Sequence, residues 1–164
     1  MGAGRIRVRA IDSCDRGWIA EATIAAWGSD RVVSRGRLTE NLSASPGLVA
    51  EHDGERAGFA LVRVEAGELE VLALRSLRER EGVGTALLST LEVEARRAGC
   101  RRVWLVTTND NLDAIRFYQR RGWRWVAFHR DAVIEARKLK PEIAELGAYG
   151  IPIRHELEFE APTA

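Results

Sequence analysis

The residues of this 164-residue chain best suited to hold a charged group are Gly82 and Gly84, in the stretch Gly82-Val83-Gly84-Thr85. They follow a short apolar run, Leu72-Ala73-Leu74, and an arginine-rich linker, and they open a helical pattern. A strand that feeds a glycine turn at a helix N-terminus is an anion site. Glycine lets the backbone approach phosphate closely, and the leading N–H groups, which have no acceptor within the helix, point at the charge. The helix dipole adds about 0.3–1 kcal/mol for a well-placed anion. Three phosphate ligands compete for such a turn. A P-loop requires Gly-Lys-Ser/Thr, and no lysine follows here. A dinucleotide fold requires a third glycine or alanine where Leu87 stands. The third is the pyrophosphate of an acyl-CoA.

A second group lies about 25 residues downstream: Asn111-Leu112-Asp113-Ala114-Ile115-Arg116-Phe117-Tyr118, followed by Gly122-Trp123. Asn111 is of a type that caps helices. The two cysteines, Cys14 and Cys100, are 86 positions apart and form neither a zinc ligand set nor a disulfide framework. Two buried thiols and a reducing, cytoplasmic setting are expected. No metal cluster is visible in the sequence.

The elements that must position these residues follow from periodicity. Residues 5–10 alternate Ile6, Val8 and Ala10 against arginines, as a half-buried strand does. Asp12 or Ser13 caps a helix carrying Trp18, Ile19, Ala22 and Ala26, and Gly28-Ser29-Asp30 breaks it. Residues 32–42 read as a loop and a short helix, ended by Ser45-Pro46-Gly47. Strands at 48–51, 57–64 and 68–74 are joined by turns at Asp53-Gly54 and Ala66-Gly67. The clearest helix spans 82–98, with Leu87, Leu88, Leu91, Ala95 and Ala98 as its apolar stripe and Gly99 as its stop. A buried strand at 102–107, a helix at 111–121, a strand at 125–128, a helix at 131–139 and a last strand at 154–160 complete the chain. The last strand sets Leu157 and Phe159 against His155, Glu156 and Glu158. Hairpins followed by a strand-helix-strand crossover from 68 to 107 predict an α/β chain. Its mixed central sheet has about seven strands, a parallel pair among them, flanked by about four helices. Residues 1–164 are expected to form one domain, in which 131–150 is an insertion with an extra helical segment before the last strand.

Leu72–Trp123 resembles the GNAT N-acetyltransferases. The signature of that family is Gln/Arg-x-x-Gly-x-Gly/Ala between a strand and a helix, with Asn-x-x-Ala-x-x-x-Tyr and Gly-Phe downstream. This chain has Glu79-Arg80-Glu81-Gly82-Val83-Gly84, then Asn111 to Tyr118, then Gly122-Trp123, and its strand order is similar over nearly the whole length. The resemblance implies a GNAT domain whose parallel pair is splayed. It implies acetyl-CoA as co-substrate, no metal, and transfer of the acetyl group to the amine of a small-molecule or peptide acceptor by direct attack in a ternary complex.

The resemblance also assigns roles. The main chain of Leu72, Ala73 and Leu74 would pair with the pantetheine arm and polarise the thioester carbonyl. Arg78, Glu79, Arg80, Glu81, Gly82, Val83, Gly84 and Thr85 would surround the pyrophosphate. Asn111 would bond the pantetheine or cap its helix, and Tyr118 would protonate or hydrogen-bond the departing thiolate. The attacking amine must lose a proton. Glu70, two residues from Leu72 on its strand, is the first candidate base, with Glu68, His155 and His52 behind it.

Glu79 stands where the family has Gln or Arg, and Glu81 is acidic as well. A carboxylate a few ångströms from phosphate repels it by about 1 kcal/mol or more. Arg78 and Arg80 are therefore expected to turn toward the phosphates and the glutamates toward water. The acidic turn also motivates an alternative, a non-catalytic acyl-CoA-binding or protein-interaction module on the same fold. Acceptor walls are expected from 27–42 and 129–155, with Trp27 near the groove and Arg31, Arg35 and Arg37 suited to a carboxylate or phosphate. Trp18, Trp104, Trp125 and Cys100 read as packing, and Arg116, Arg120, Arg121 and Arg124 as a solvated face.

Composition excludes other classes. Lys plus Arg is 25 and Asp plus Glu is 24, so the net charge of +1 provides no general field for nucleic acid or an anionic membrane. Arginine makes up 23 of the 25 basic residues, most of them as a compositional bias. No apolar run approaches the roughly 20 residues that span a bilayer. The start, residues 1–7, has no signal-peptide core. A cytoplasmic protein without nucleic-acid or membrane partners is expected, and a homodimer would be in keeping with the family.

Overall fold

The computed structural model describes residues 4–162; Met1–Ala3, part of the start read above for a leader, lie outside the described residues. The strands are β1 (Ile6–Ala10), β2 (Arg31–Ser34), β3 (Arg37–Glu40), β4 (Gly47–His52), β5 (Glu55–Glu65), β6 (Glu68–Ser76), β7 (Arg102–Thr108), β8 (Arg124–His129) and β9 (Glu156–Glu160). The helices are α1 (Arg16–Trp27), α2 (Val83–Arg97), α3 (Leu112–Arg120) and α4 (Ala132–Leu139). The α/β class expected from the sequence holds. The chain divides into two compact units, residues up to 22 with 43–103, and 23–42 with those from 104 on.

The first unit is an antiparallel sheet in the order β1–β4–β5–β6, with α2 packed against it. Both tight turns are hairpin turns with two left-handed residues, Asp53-Gly54 (φ 51° and 85°) and Ala66-Gly67 (φ 51° and 74°). Residues 57–62 of β5 form a continuous apolar run apart from Gly58, and all are buried. Leu87, Leu88, Leu91 and Ala95 of α2 are buried too, as the stripe predicts, whereas Ala98, its last expected member, is the C-cap and is exposed. Gly58 admits the start of α2: a Cβ there would lie 2.7 Å from Val83 Cγ1 and 2.5 Å from the Arg75 carbonyl oxygen. In β6 the register slips between Leu61/Ala73 and Val62/Val71, so Leu72 is an extra residue that β5 does not match.

Ahead of α1, Asp12 caps a single 3-10 turn, Ser13–Asp15, in a reciprocal box with Asp15. Asp15 is fully buried and accepts from Arg9 (2.7 and 3.0 Å) and Arg56 (2.9 Å). The Arg9 hydrogen bonds hold its carboxyl far below the ordinary 3.8, against the opposing effect of burial. A depressed carboxyl contributes its stability above the unfolded value and loses it as pH falls through the folded one. Stability is therefore expected to drop below about pH 4. Asp15→Asn should cost about 2 kcal/mol at pH 7 and flatten that acid limb in denaturant titrations. Cys14 beside it is exposed and Cys100 half-buried, which corrects the expectation of two buried thiols.

The second unit pairs β7–β9–β8 antiparallel and adds the hairpin β2–β3. The hairpin corrects the loop and short helix expected at 32–42. Val33 pairs with Leu38 and Ser34 with Arg37 around Arg35-Gly36, both left-handed (φ 49° and 77°). From the turn of this hairpin Arg35 reaches Glu156 at 3.1 Å. Glu156 is only 3% exposed, so it is not on the solvated side of β9 as its alternation suggested. In β7 only Leu105 is fully buried, less than the buried strand expected. The segment after α4 is pinned by Arg137, which donates to the carbonyls of Ile143 (3.2 Å), Ala144 (2.7 Å) and Ile153 (2.6 Å). Buried Lys140 donates to the Arg31 carbonyl at 3.0 Å. Among the described residues no helix is long and apolar enough to cross a membrane.

Candidate active site

The glycine turn connects β6 to α2. Gly82 is the N-cap of α2 in the left-handed region (φ 83°), where a side chain would be strained, and no side chain caps the helix from this position. The Ala86 amide donates to the Gly82 carbonyl at 3.0 Å. The amides of Gly82, Val83 and Gly84 lead the helix ahead of it, an arrangement that attracts an anion. Val83 and Gly84 are buried, and Glu79 and Arg80 are exposed. Arg78 differs from the expected picture: it is held by Glu55 (2.8 Å) and lies 3.7 Å from Glu81. Glu81 is exposed, and its Oε2 lies 3.3 Å from His52 Nε2.

In β6, Leu72 and Ala73 are buried and Leu74 is half-buried. The extra residue at Leu72 interrupts the two-residue alternation, so position alone does not align Glu70 with Leu72. Glu70 is buried and accepts from Arg63 of β5 at 2.5 Å, its cross-strand partner. Glu68 is engaged by Arg101 at 3.0 Å and Arg102 at 3.6 Å.

In the second unit Asn111 caps α3: its Oδ1 accepts from the Ala114 amide at 3.3 Å, and its Nδ2 donates to Thr107 Oγ1 at 3.2 Å. Asn111→Ala is expected to remove about 1 kcal/mol of stability, seen as a lower Tm and denaturation midpoint. Tyr118 is 7% exposed, with its ring 5.4 Å from Phe117, 5.7 Å from Trp123 and 5.6 Å from Phe159. Trp123, in place of the family's Phe, keeps an aromatic in this cluster. Burial pushes the Tyr118 hydroxyl well above the ordinary tyrosine range, and the charge of Arg121 offsets this in part. Arg121 itself stacks on Phe117, 3.5 Å from the ring centre, so it is not part of a purely solvated face. Trp125 stacks on Phe159 at 5.8 Å while keeping an exposed side.

His155 Nδ1 accepts from the Asp131 amide at 2.9 Å, which leaves Nε2 to carry the proton of a neutral ring. Arg31 is paired with Glu142 at 2.7 Å and Arg35 with Glu156, so neither waits for an acidic acceptor. The Glu142 carboxyl is pushed down to about 2 by its hydrogen bonds to Ser29 and Arg31. Asp110 was not singled out by the sequence. It is buried, accepts from Thr108 Oγ1 at 2.5 Å and from the Ala148 amide at 3.0 Å, and so ties the 140–155 segment to the residue before Asn111. Its signal was the Thr108-Asn109-Asp110-Asn111 run, rich in residues that bond neighbouring backbone.

Comparisons with known proteins identify the family. The profile of the Acetyltransferase (GNAT) family matches residues 16–123. YdhI of Bacillus subtilis (strain 168) is 45% identical over 106 residues, 65% of this chain and 66% of YdhI. YxbD of the same organism is 39% identical over 132 residues, 80% of this chain and 82% of YxbD. Among solved structures, YncA of Salmonella typhimurium, determined with acetyl-CoA, is 22% identical. It superimposes with a TM-score of 0.67 over 95% of this chain and 92% of its own, which establishes a shared fold. With a family match over most of its length, this chain belongs to the GNAT acetyltransferase family.

Proposed function

We propose that this protein moves an acetyl group from acetyl-CoA to the amine of a small-molecule or peptide acceptor, by direct attack while both are bound. The observation that carries the proposal is the uncapped, glycine-led N-terminus of α2 in a member of an acetyltransferase family. Its left-handed Gly82 and leading amides fit a pyrophosphate, because they offer donors and no obstructing side chain at the cap. Bound there, acetyl-CoA supplies an acetyl group activated as a thioester.

The rest of the chemistry falls to the chain. The amides of Gly82, Val83 and Gly84 hold the pyrophosphate, with Arg80 exposed beside them. Leu72, Ala73 and Leu74 offer main-chain groups to the pantetheine arm, and the extra residue at Leu72 leaves that stretch out of step with β5. Asn111 combines capping with a polar contact to the same arm. Glu70, oriented by Arg63, takes the acceptor's proton, directly or through water. Tyr118 keeps its own proton. A free thiol has a pKa of about 8.5, below that of a phenol raised by burial, so full transfer to sulfur is uphill. The hydroxyl donates a hydrogen bond to the departing sulfur instead. The chain is read as one acetyltransferase domain over 1–164, with 131–150 as the insertion that shapes the acceptor site.

The ground for a non-catalytic module was an acidic turn, and the pairing of Glu81 with His52 weakens it. Acetyl-CoA at a hundred times its Kd should raise the Tm by an amount equivalent to about 2.7 kcal/mol. Initial-velocity lines against the two substrates should intersect. Absence of the thermal shift overturns the site, and parallel lines overturn direct attack.

A further inference from the structure

The groups around Glu81 form a cluster with no part in the proposed chemistry. His52, at the end of β4, is 9% exposed. Its Nε2 lies 3.3 Å from Glu81 Oε2. Its Nδ1 lies 3.3 Å from Arg78 NH1 and 3.3 Å from Asp53 Oδ2. Nδ1 thus faces a donor, Arg78, and an acceptor, Asp53, and which of them it serves depends on the tautomer. The tautomer with its proton on Nε2, like the doubly protonated ring, places an N–H beside the Glu81 carboxylate. The ring is also walled in: a Cβ built on Gly4 would lie 2.1 Å from its Cε1 and 2.5 Å from its Nε2.

Glu81 immediately precedes the α2 N-cap. A carboxylate released at that position is drawn to the positive helix end and occupies the amides that an anionic ligand needs. We infer that His52 is a positioning residue that, with Arg78, holds the Glu81 carboxylate away from the leading amides of α2 and so keeps the pyrophosphate seat open. Gly4 fixes the ring for this task by having no side chain. This explains how a chain with an acidic residue beside its glycine turn can serve an anionic co-substrate, and it rests on the acetyl-CoA reading above.

Steady-state kinetics with two acyl donors test it: acetyl-CoA, and S-acetyl-pantetheine, which lacks the pyrophosphate. His52→Ala should raise the KM for acetyl-CoA about tenfold with kcat within twofold, and leave the KM for S-acetyl-pantetheine unchanged. The double variant His52→Ala/Glu81→Gln should recover the acetyl-CoA KM to within about threefold of wild type. Gly4→Ala, which displaces the ring without altering it, should reproduce the His52→Ala phenotype. Any of three results overturns the inference: an unchanged acetyl-CoA KM in His52→Ala, no recovery in the double variant, or an equal loss with both donors. A collapse of kcat at constant KM also overturns it, because His52 would then be a base. If wild-type protein fails to bind acetyl-CoA by calorimetry, the proposed function fails first. If wild type binds and His52→Ala matches it, only the role of His52 fails.

Discussion

Gly84→Glu is expected to abolish acetyl-CoA binding in calorimetry while the protein stays folded. Gly84 is the second residue of α2 and is buried where the helix begins. Its amide is one of the leading donors that no helical carbonyl satisfies. A glutamate here adds a carboxylate at the positive end of the helix, where the dipole holds it in place. The new charge then occupies the donors and repels an incoming pyrophosphate. At about 4 Å and an effective dielectric near 20, one such repulsion is worth roughly 4 kcal/mol. Screening leaves less than that, and half of it still weakens binding by more than tenfold. Together with the loss of donors, the expected change is at least a hundredfold in Kd. Circular dichroism separates this from misfolding: a folded variant keeps the α/β spectrum even where burying the new carboxylate lowers its Tm. Tight binding retained by a folded Gly84→Glu protein removes the α2 N-terminus from the account.

Tyr118→Phe should lower kcat by about tenfold to a hundredfold, the equivalent of one hydrogen bond to a charged group. The KM for acetyl-CoA should change by less than about threefold. The substitution deletes a single oxygen from a ring packed against Phe117, Trp123 and Phe159, so the aromatic cluster and its stability survive. An effect confined to kcat is the mark of an interaction made only as charge develops on the departing sulfur. Because burial keeps the Tyr118 phenol protonated, its ionisation should not shape the pH–rate profile below about pH 10. An unchanged kcat means that Tyr118 packs the core and does no more.

The parts of this site that rest on local pattern were legible in the sequence. α2 is long, its apolar stripe is regular, and glycines bracket it, so its start was readable to within a residue. Asn111 could be recognised as a cap because capping is a local interaction between a side chain and an amide three residues on. The Asp53-Gly54 and Ala66-Gly67 turns were equally plain. What escaped depends on residues far apart in the chain. The β2–β3 hairpin has strands of only four residues, none of which declares a face. Its Arg35 meets Glu156 from 121 positions away, and only that meeting makes a buried glutamate tolerable. The Leu72 bulge breaks the alternation on which the placement of Glu70 relied, and nothing in the residue types marks it. The same holds for His52 and Glu81, which are brought together by the packing of β4 beside the α2 start.

Acetyl transfer from acetyl-CoA to amines is the activity proposed for this protein. A thiol-release assay with purified protein, acetyl-CoA and a panel of small-molecule and peptide amines tests it most directly. Release is expected to depend on an amine, to match the acetylated product mole for mole, and to fall with Tyr118→Phe. Protein that binds acetyl-CoA yet releases thiol with no amine in such a panel would contradict it and identify a non-catalytic acyl-CoA-binding module on this fold.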